Sequence, residues 1–208
     1  MSHSPGNLFV IAAPSGTGKT TLVKALVDSM PGVTVSISHT TRLKRPQEQD
    51  GVNYYFIAND QFHEMIAHQD FLEYATVFNH LYGTSRTWVQ QTLEKGLDVI
   101  LEIDWQGCQQ IKKLFPQCIS IFILPPSLDD LSERLQLRNQ DHPNIIKQRL
   151  ADVKETISHI KEYEYVIVNA VFNQAVVELK TIIDATRLLQ KKQVIKYETL
   201  LSDLIKIE

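Results

Sequence analysis

The chain carries only two cysteines in 208 residues, Cys108 and Cys118, and neither stands at metal-ligand spacing. A disulfide framework and a zinc site are therefore not expected, both thiols read as buried apolar residues, and a reducing, cytoplasmic setting fits. An excess of positive charge is also missing. The 21 Lys and Arg are outnumbered by 24 Asp and Glu, for a net charge of −3 with His neutral. A general nucleic-acid or membrane-surface binder would show a broad basic footprint, so no such partner is expected and any basic patch must be local. No apolar run approaches the ~20 residues that span a bilayer, and the short polar opening MSHSPGN leaves no room for a secretory signal before the first apolar run. The seven histidines contain no H-x-x-x-H pair, so none is assigned to catalysis, although His39 falls in a loop of interest. Repeats, low-complexity tracts and flexible linkers are absent as well.

What is present begins at Leu8. With 43% hydrophobic residues the chain can bury a sizeable core as one α/β unit with a smaller inserted lobe. Leu8 to Ala13 is an unbroken apolar run, as for a parallel strand covered on both faces, and Leu22, Val23, Leu26 and Val27 recur at helical spacing. Between them, Ala13-Pro14-Ser15-Gly16-Thr17-Gly18-Lys19-Thr20-Thr21 has the parts of a phosphate cradle. Gly16 and Gly18 allow backbone N–H groups to approach an anion, the helix adds its positive end, Lys19 adds a charge, and Thr20 offers an oxygen to Mg²⁺. The strict pattern G-x-x-x-x-G-K-[ST] starts with glycine, and here Ala13 stands in its place. A nucleoside triphosphate with Mg²⁺ is the expected ligand.

Further along, Pro31-Gly32 should stop the first helix near Met30, and Val33 to Ile37 reads as a second strand. Residues Ser38 to Phe56 then bring Arg42, Lys44 and Arg45 ahead of an aromatic cluster. By charge alone that is a solvated turn; downstream of a phosphate cradle it is a second anion site. Asn59 is placed to cap a helix through Phe62, Met65 and Ile66, and Phe71 to Phe78 and His80 to Thr84 read as strands around an Asn79 turn. A helix from Ser85 should end at Gly96. Leu97 to Ile103 returns as a buried strand whose carboxyl end puts Glu102 and Asp104 at the nucleotide cleft, where one of them would hold Mg²⁺ through water; the other reading is a pair of capping or surface acids.

The rest of the chain continues the alternation. A helix from Gln106 to Leu114 precedes the apolar strand Ile119 to Leu124. Ser127 with Asp130 then resembles a capping box, opening a helix through Leu131, Leu135 and Leu137. Arg134, Arg138 and Arg149 flank the polar segment Asn139 to Asn144, an arrangement suited to a lid that closes over a phosphoryl donor. Tyr165 to Asn169 is the last strand, and Val176, Leu179, Ile183 and Leu188 mark the core face of a terminal helix.

These motifs together, APSGTGKTT, SHTTRLKRPQEQDGVNYYF, LEIDWQG and the paired arginines, resemble the guanylate kinase family of nucleoside monophosphate kinases from about Leu8 to Leu189. The resemblance implies a P-loop NTPase core of parallel sheet and helices (residues 1–37 and 85–208, with a helical lid at about 134–150) and an inserted, mixed antiparallel GMP-binding lobe (38–84). It implies transfer of the γ-phosphoryl group of ATP to GMP, and leaves a homodimer open. By the same resemblance Ser38, Glu73, Thr84 and Asp104 serve the guanine base, and Arg42, Arg45, Tyr54 and Tyr82 the GMP phosphate. Arg134, Arg138 and Arg149 lie around the ATP phosphates, and Asn169 on the adenine side. Lys19, Arg42, Arg138 and Arg149 form the catalytic set; Thr20 and, through water, Glu102 form the metal set.

The chemistry of the residues agrees. Guanine offers N1–H and an exocyclic amine as adjacent donors, which suit ionised Glu73 and Asp104, whereas adenine presents an acceptor at N1. Arg42 and Arg45 suit a phosphate, and the acceptor phosphate, already an anion, demands no general base. Four departures from the family pattern stand out: Lys44, Gln47, Asn139 and Ala170 replace the usual Pro, Gly, Gly and Asp. Rival readings are a non-catalytic guanylate-kinase-like module, which typically lacks the P-loop lysine and lid arginines, a GTPase, which would need an N-K-x-D segment not found here, and a kinase of another phosphorylated acceptor, which should lack the Glu73 and Asp104 pairing.

Overall fold

Strand β1 (Leu8–Ala12) is buried along its whole length and forms the middle of a five-stranded sheet. In this computed structural model, which describes residues 4–137 and 153–206, its companions are β2 (Val33–Val35), β7 (Asp98–Glu102), β8 (Ile119–Leu124) and β9 (Tyr165–Val168). The order is β2-β7-β1-β8-β9, with every neighbouring pair parallel. The period of two along β1 divides the core. Phe9 and Ile11 pack with α1 (Lys19–Ser29) and α7 (Phe172–Arg187), while Leu8, Val10 and Ala12 pack with α3 (Arg86–Glu94) and α4 (Trp105–Leu114). Helices thus cover both faces, which is why β1 reads as a continuous apolar run. Truncating fully buried Phe9 to alanine would cost about 3–5 kcal/mol.

Local chemistry sets most element ends. Helix α1 stops before Pro31 and Gly32, the latter at φ 79°. Ser85 caps α3, its Oγ accepting from the Trp88 N–H at 3.4 Å, and Gly96 at φ 78° follows its end. Ser127 Oγ accepts from the Asp130 N–H at 3.0 Å and donates to the Asp130 carboxylate, the expected box at the start of α5 (Leu128–Leu137). Asn59 does not cap α2 (Asn59–Ala67). Extended Ala58 holds that position with no side-chain cap, so the helix begins with Asn59 already inside its first turn. Asp104 caps α4, which therefore begins at Trp105, one residue earlier than expected.

A second sheet has four strands. It consists of β3 (His39–Thr40), β4 (Tyr55–Phe56), β5 (Phe71–Val77) and β6 (His80–Ser85), in the order β4-β3-β6-β5. The β5–β6 hairpin turns through Phe78 and Asn79 at φ 48° and 63°, both left-handed as a type I′ turn requires. Only β3 and β4 pair in parallel there.

The carboxyl-terminal part differs from expectation. Helix α6 is described over residues 153–158. The buried face of α7 is Ala175, Leu179, Ile182, Ile183 and Thr186, while Leu188 caps the helix and is 68% exposed. Two further helices, α8 (Gln190–Lys196) and α9 (Glu198–Ile205), have no buried residue. Buried Asp98 ties the ends of the core together, accepting from the Asn7 N–H (2.7 Å), Asn7 Nδ2 (2.8 Å) and Arg187 Nε (2.7 Å). No described helix is long and apolar enough to cross a membrane.

Candidate active site

Pairing of β1 with β7 sets Ile11 opposite Glu102, so the loop leaving β1 starts beside a carboxylate. That loop turns through Gly16 and Gly18 at φ 89° and 92°. It is braced from within by Thr17, whose hydroxyl and N–H both donate to the Pro14 carbonyl, at 2.8 and 3.3 Å. Behind it, Asn169 Nδ2 donates to the Thr17 carbonyl at 2.8 Å. A Cβ on residue 18 would lie 2.9 Å from that amide, so glycine is required there by space as well as by angle. The Lys19 ammonium donates to the Ile103 carbonyl at 3.4 Å. Burial lowers the Lys19 pKa, against the charges of Glu102 and Asp104. Thr20 Oγ1 donates to Glu102 Oε2 at 2.9 Å.

Across the cleft, β5 carries Glu73 into a buried position, with a bulge in its pairing between Phe71 and Glu73. Thr84 Oγ1 donates to its Oε1 at 2.5 Å. Burial, joined by the Asp104 charge and opposed by Thr84, pushes the Glu73 carboxyl up to about 7. Asp104 is also raised by burial, against its bond from the Gly107 N–H and the charge of Lys19. The helix-capping reading of Asp104 is realised, Oδ1 accepting from that N–H at 2.9 Å, and the same carboxylate lines the cleft.

The arginine loop is organised by a residue that sequence reasoning missed, Glu48. Arg42 Nη2 and Nη1 donate to its two oxygens at 2.7 and 3.0 Å, and the Arg45 N–H donates to it at 2.8 Å. Burial pushes Glu48 up, but these bonds and the two arginine charges hold it below its ordinary value. Arg42 also lies over the rings of Tyr54 and Phe56, 5.5 and 5.7 Å from their centroids. Burial, with the Tyr82 and Glu102 charges, raises the Tyr54 hydroxyl to about 12.

All these groups converge on one cleft of about 470 Å³, the size of a small-ligand site. Of the expected residues, Ala13 to Thr20, Ser38, Arg42, Arg45, Tyr54, Glu73, Tyr82, Glu102 and Asp104 line it. Thr76, Val77, Phe78, Trp105, Gln106, Glu155 and Thr156 line it too, without having been expected. Thr84 is bonded to Glu73 and is not among the lining residues, Thr21 is exposed on α1 outside the lining, and Asn169 braces the P-loop and is not among the lining residues. The side chain of Arg134, and Arg138, Arg149 and nearly all of the expected lid at about 134–150, lie outside the described residues. His39 is not in the cleft. It stacks on Tyr55 at 4.8 Å, its Nδ1 is buried without a hydrogen-bond partner, and it lines a separate cavity of about 250 Å³.

A glycine-rich loop carrying Lys19, two arginines and two carboxylates thus line the same cleft. The family model described as guanylate kinase matches residues 5–186. Guanylate kinase of Saccharophagus degradans is 52% identical over 200 residues, covering 96% of this chain and 98% of that protein. The guanylate kinase of Pseudomonas fluorescens is 52% identical over 205 residues, covering 99% and 100%. The crystal structure of guanylate kinase from Anaplasma phagocytophilum superposes with a TM-score of 0.77 at 30% identity, covering 91% of this chain and 90% of that one. On its cleft, its fold and its near full-length similarity, the chain belongs to the guanylate kinase family.

Proposed function

We infer that this chain is an ATP:GMP phosphotransferase, moving the γ-phosphoryl group of ATP to GMP to give ADP and GDP. The observation that supports this reading is that the P-loop, Arg42, Arg45, Glu73 and Asp104 all line one cleft. ATP phosphates occupy Ala13 to Thr21, where the loop N–H groups and Lys19 neutralise the charge that moves between the β- and γ-phosphates. GMP lies toward the lobe, its phosphate held by Arg42, Arg45, Tyr54 and Tyr82 and its base read by Ser38, Glu73 and Asp104, with Thr84 acting through its bond to Glu73. An oxygen of the GMP phosphate forms the new bond to γ-phosphorus as the bond to the β-phosphate oxygen breaks, and the electron pair leaves with ADP. Catalysis is then positioning and charge neutralisation.

Among the described residues, no three His, Cys, Asp or Glu side chains could hold a metal ion together. Mg²⁺ keeps several waters and takes one or two protein oxygens beside substrate phosphates. Thr20 Oγ1 and the Glu102 carboxylate, already bonded to each other at 2.9 Å, are the hard oxygen donors beside the loop. The ion would supply further neutralisation of phosphate charge.

Arg134, Arg138 and Arg149 are assigned to the ATP phosphates, and residues 38–84 act as a GMP-binding lobe on a core of 1–37 and 85–208. The enzyme works in the cytoplasm on small nucleotides. A coupled assay of ADP formation with GMP, AMP, CMP and UMP as acceptors tests this. GMP should be preferred by at least ~10²-fold, the scale of losing two charge-assisted hydrogen bonds. Equal turnover with AMP would refute it.

A further inference from the structure

We propose that α4 is the seat on which β5 is registered, with Gln110 and Gly107 acting as positioning residues for the Glu73 carboxylate. The proposal rests on the reading of Glu73 as a guanine-binding group. Strand β5 is the edge of the lobe sheet, and an edge strand leaves backbone donors and acceptors without a strand partner. At Tyr74, the residue after Glu73, both outward groups are taken by one side chain of the core. Gln110 Nε2 donates to the Tyr74 carbonyl at 2.8 Å, and the Tyr74 N–H donates to Gln110 Oε1 at 3.3 Å. The amide acts as a one-residue strand, and it fixes β5 lengthwise along α4.

Gly107 fixes the depth. It lies three residues before Gln110, on the same helix face. A Cβ at this position would sit 2.5 Å from Glu73 Oε2, closer than real Cβ contacts come, and 3.2 Å from Glu73 Cδ and Ile103 Cδ1, which is tight, so the carboxylate would have to shift. Glycine inside a helix is destabilising relative to alanine, so its presence matches what the carboxylate requires. The Gly107 N–H is the one capped by Asp104. Both carboxylates assigned to the base therefore meet at one helical residue, and the base-reading end of the lobe is tied to the core.

The test uses Gln110→Met, which keeps length and helix propensity while removing both hydrogen bonds, and Gly107→Ala. Each is assayed for kcat and KM with ATP, GMP and inosine monophosphate, which lacks the 2-amine. Gln110→Met should raise the KM for GMP about tenfold, the scale of two neutral hydrogen bonds. The KM for ATP should stay within about twofold, and the preference for GMP over inosine monophosphate should shrink by a factor similar to the rise in the GMP KM. Gly107→Ala should shift the same quantities further in the same direction; if it does not fold, Gln110→Met decides alone. A merely structural role would lower Tm without changing the ratio of the two acceptors. An unchanged ratio in Gln110→Met, in an enzyme where Glu73→Gln abolishes the preference, overturns the proposal and leaves the GMP reading intact. If Glu73→Gln itself leaves the preference unchanged, the reading of Glu73 fails and the proposal falls with it.

Discussion

Arg42 presents both terminal guanidinium nitrogens to Glu48, at 2.7 and 3.0 Å, with only 14% and 15% of the two side chains exposed. The fork expected to receive a phosphate is thus oriented by a carboxylate of its own loop, which also accepts the Arg45 N–H. Two effects compete when Glu48 is removed. A rival anion disappears, which favours phosphate, and a half-buried cation loses its partner and its pose. Breaking fully buried pairs costs about 3–5 kcal/mol; this pair is partly wet, so a smaller loss is expected, but orientation should still dominate. Glu48→Ala should raise the KM for GMP by roughly tenfold, about 1.4 kcal/mol, with the KM for ATP unchanged. A lower KM for GMP would show that Glu48 acts as a competitor.

Glu73 couples recognition to pH. Its carboxyl lies near 7 in the folded chain against 4.5 ordinarily, raised first by burial. The folded state therefore binds this proton more tightly than the unfolded state. Its stabilising contribution is full below the ordinary value and is lost as pH rises through about 7. Glu73→Gln, neutral at every pH, should raise Tm relative to the parent at pH 8 and not at pH 5. The gain would be at most roughly 3 kcal/mol, because a tenfold difference in proton affinity between the two states is worth about 1.4 kcal/mol. Guanine donors favour the ionised form, so GMP binding near pH 7 should release a proton, seen by calorimetry in buffers of different ionisation enthalpy. The release should vanish in Glu73→Gln. Equal Tm differences at both pH values would remove Glu73 as the titrating group.

Asp98 is a stability element far from chemistry. Its two oxygens accept two bonds from Asn7 and one from Arg187, at 2.7 to 2.8 Å, while it is 3% exposed. Asp98→Ala leaves Arg187 and the Asn7 donors without their acceptor and should cost about 3 kcal/mol by denaturant titration. Specific activity of the folded fraction should be unchanged. A loss below about 0.5 kcal/mol, the scale of an ordinary surface change, would mean that water replaces the carboxylate.

The parts legible in the sequence were those whose signals are local. β1 announces itself by an apolar run, the cradle by Gly16, Gly18, Lys19 and Thr20, and α3 by Ser85 and Gly96, because each depends on neighbours a few residues away. Glu48 was not legible, since a carboxylate six residues from its arginine has no periodic signature and the loop folds to bring them together. Asn169 read as a ligand-facing residue, but its partner Thr17 lies 152 residues away and only the packing of β9 beside β8 brings them together. Gln110 spends its side chain on backbone atoms of another element, which no residue pattern reports. Leu188, five residues after Ile183, falls off the helical spacing of the core face and lies exposed just past the end of α7 at Arg187.

Closure should be uneven across the lobe. Transfer needs reacting atoms within roughly 3–3.5 Å, and the arginine loop and the P-loop sit on different sheets. Because Gln110 holds Tyr74 to α4, Arg42 and its loop should approach the P-loop on GMP binding while Glu73 stays in place. Distance labels on Lys44 and Lys24, compared with labels on Thr76 and Lys24, should shorten only in the first pair. Equal shortening in both would mean that the lobe moves as one rigid piece.

Direct transfer of a phosphoryl group from ATP to GMP within one cleft can be followed with an isotope label. ATP labelled at its γ-phosphate, incubated with GMP and Mg²⁺, should place the label in the β-phosphate of GDP. The rate should fall by ~10²-fold or more in folded Lys19→Ala, the scale of losing a preorganised electrostatic group. Label appearing only in inorganic phosphate, or a folded Lys19→Ala protein that labels GDP at the parent rate, would contradict the account.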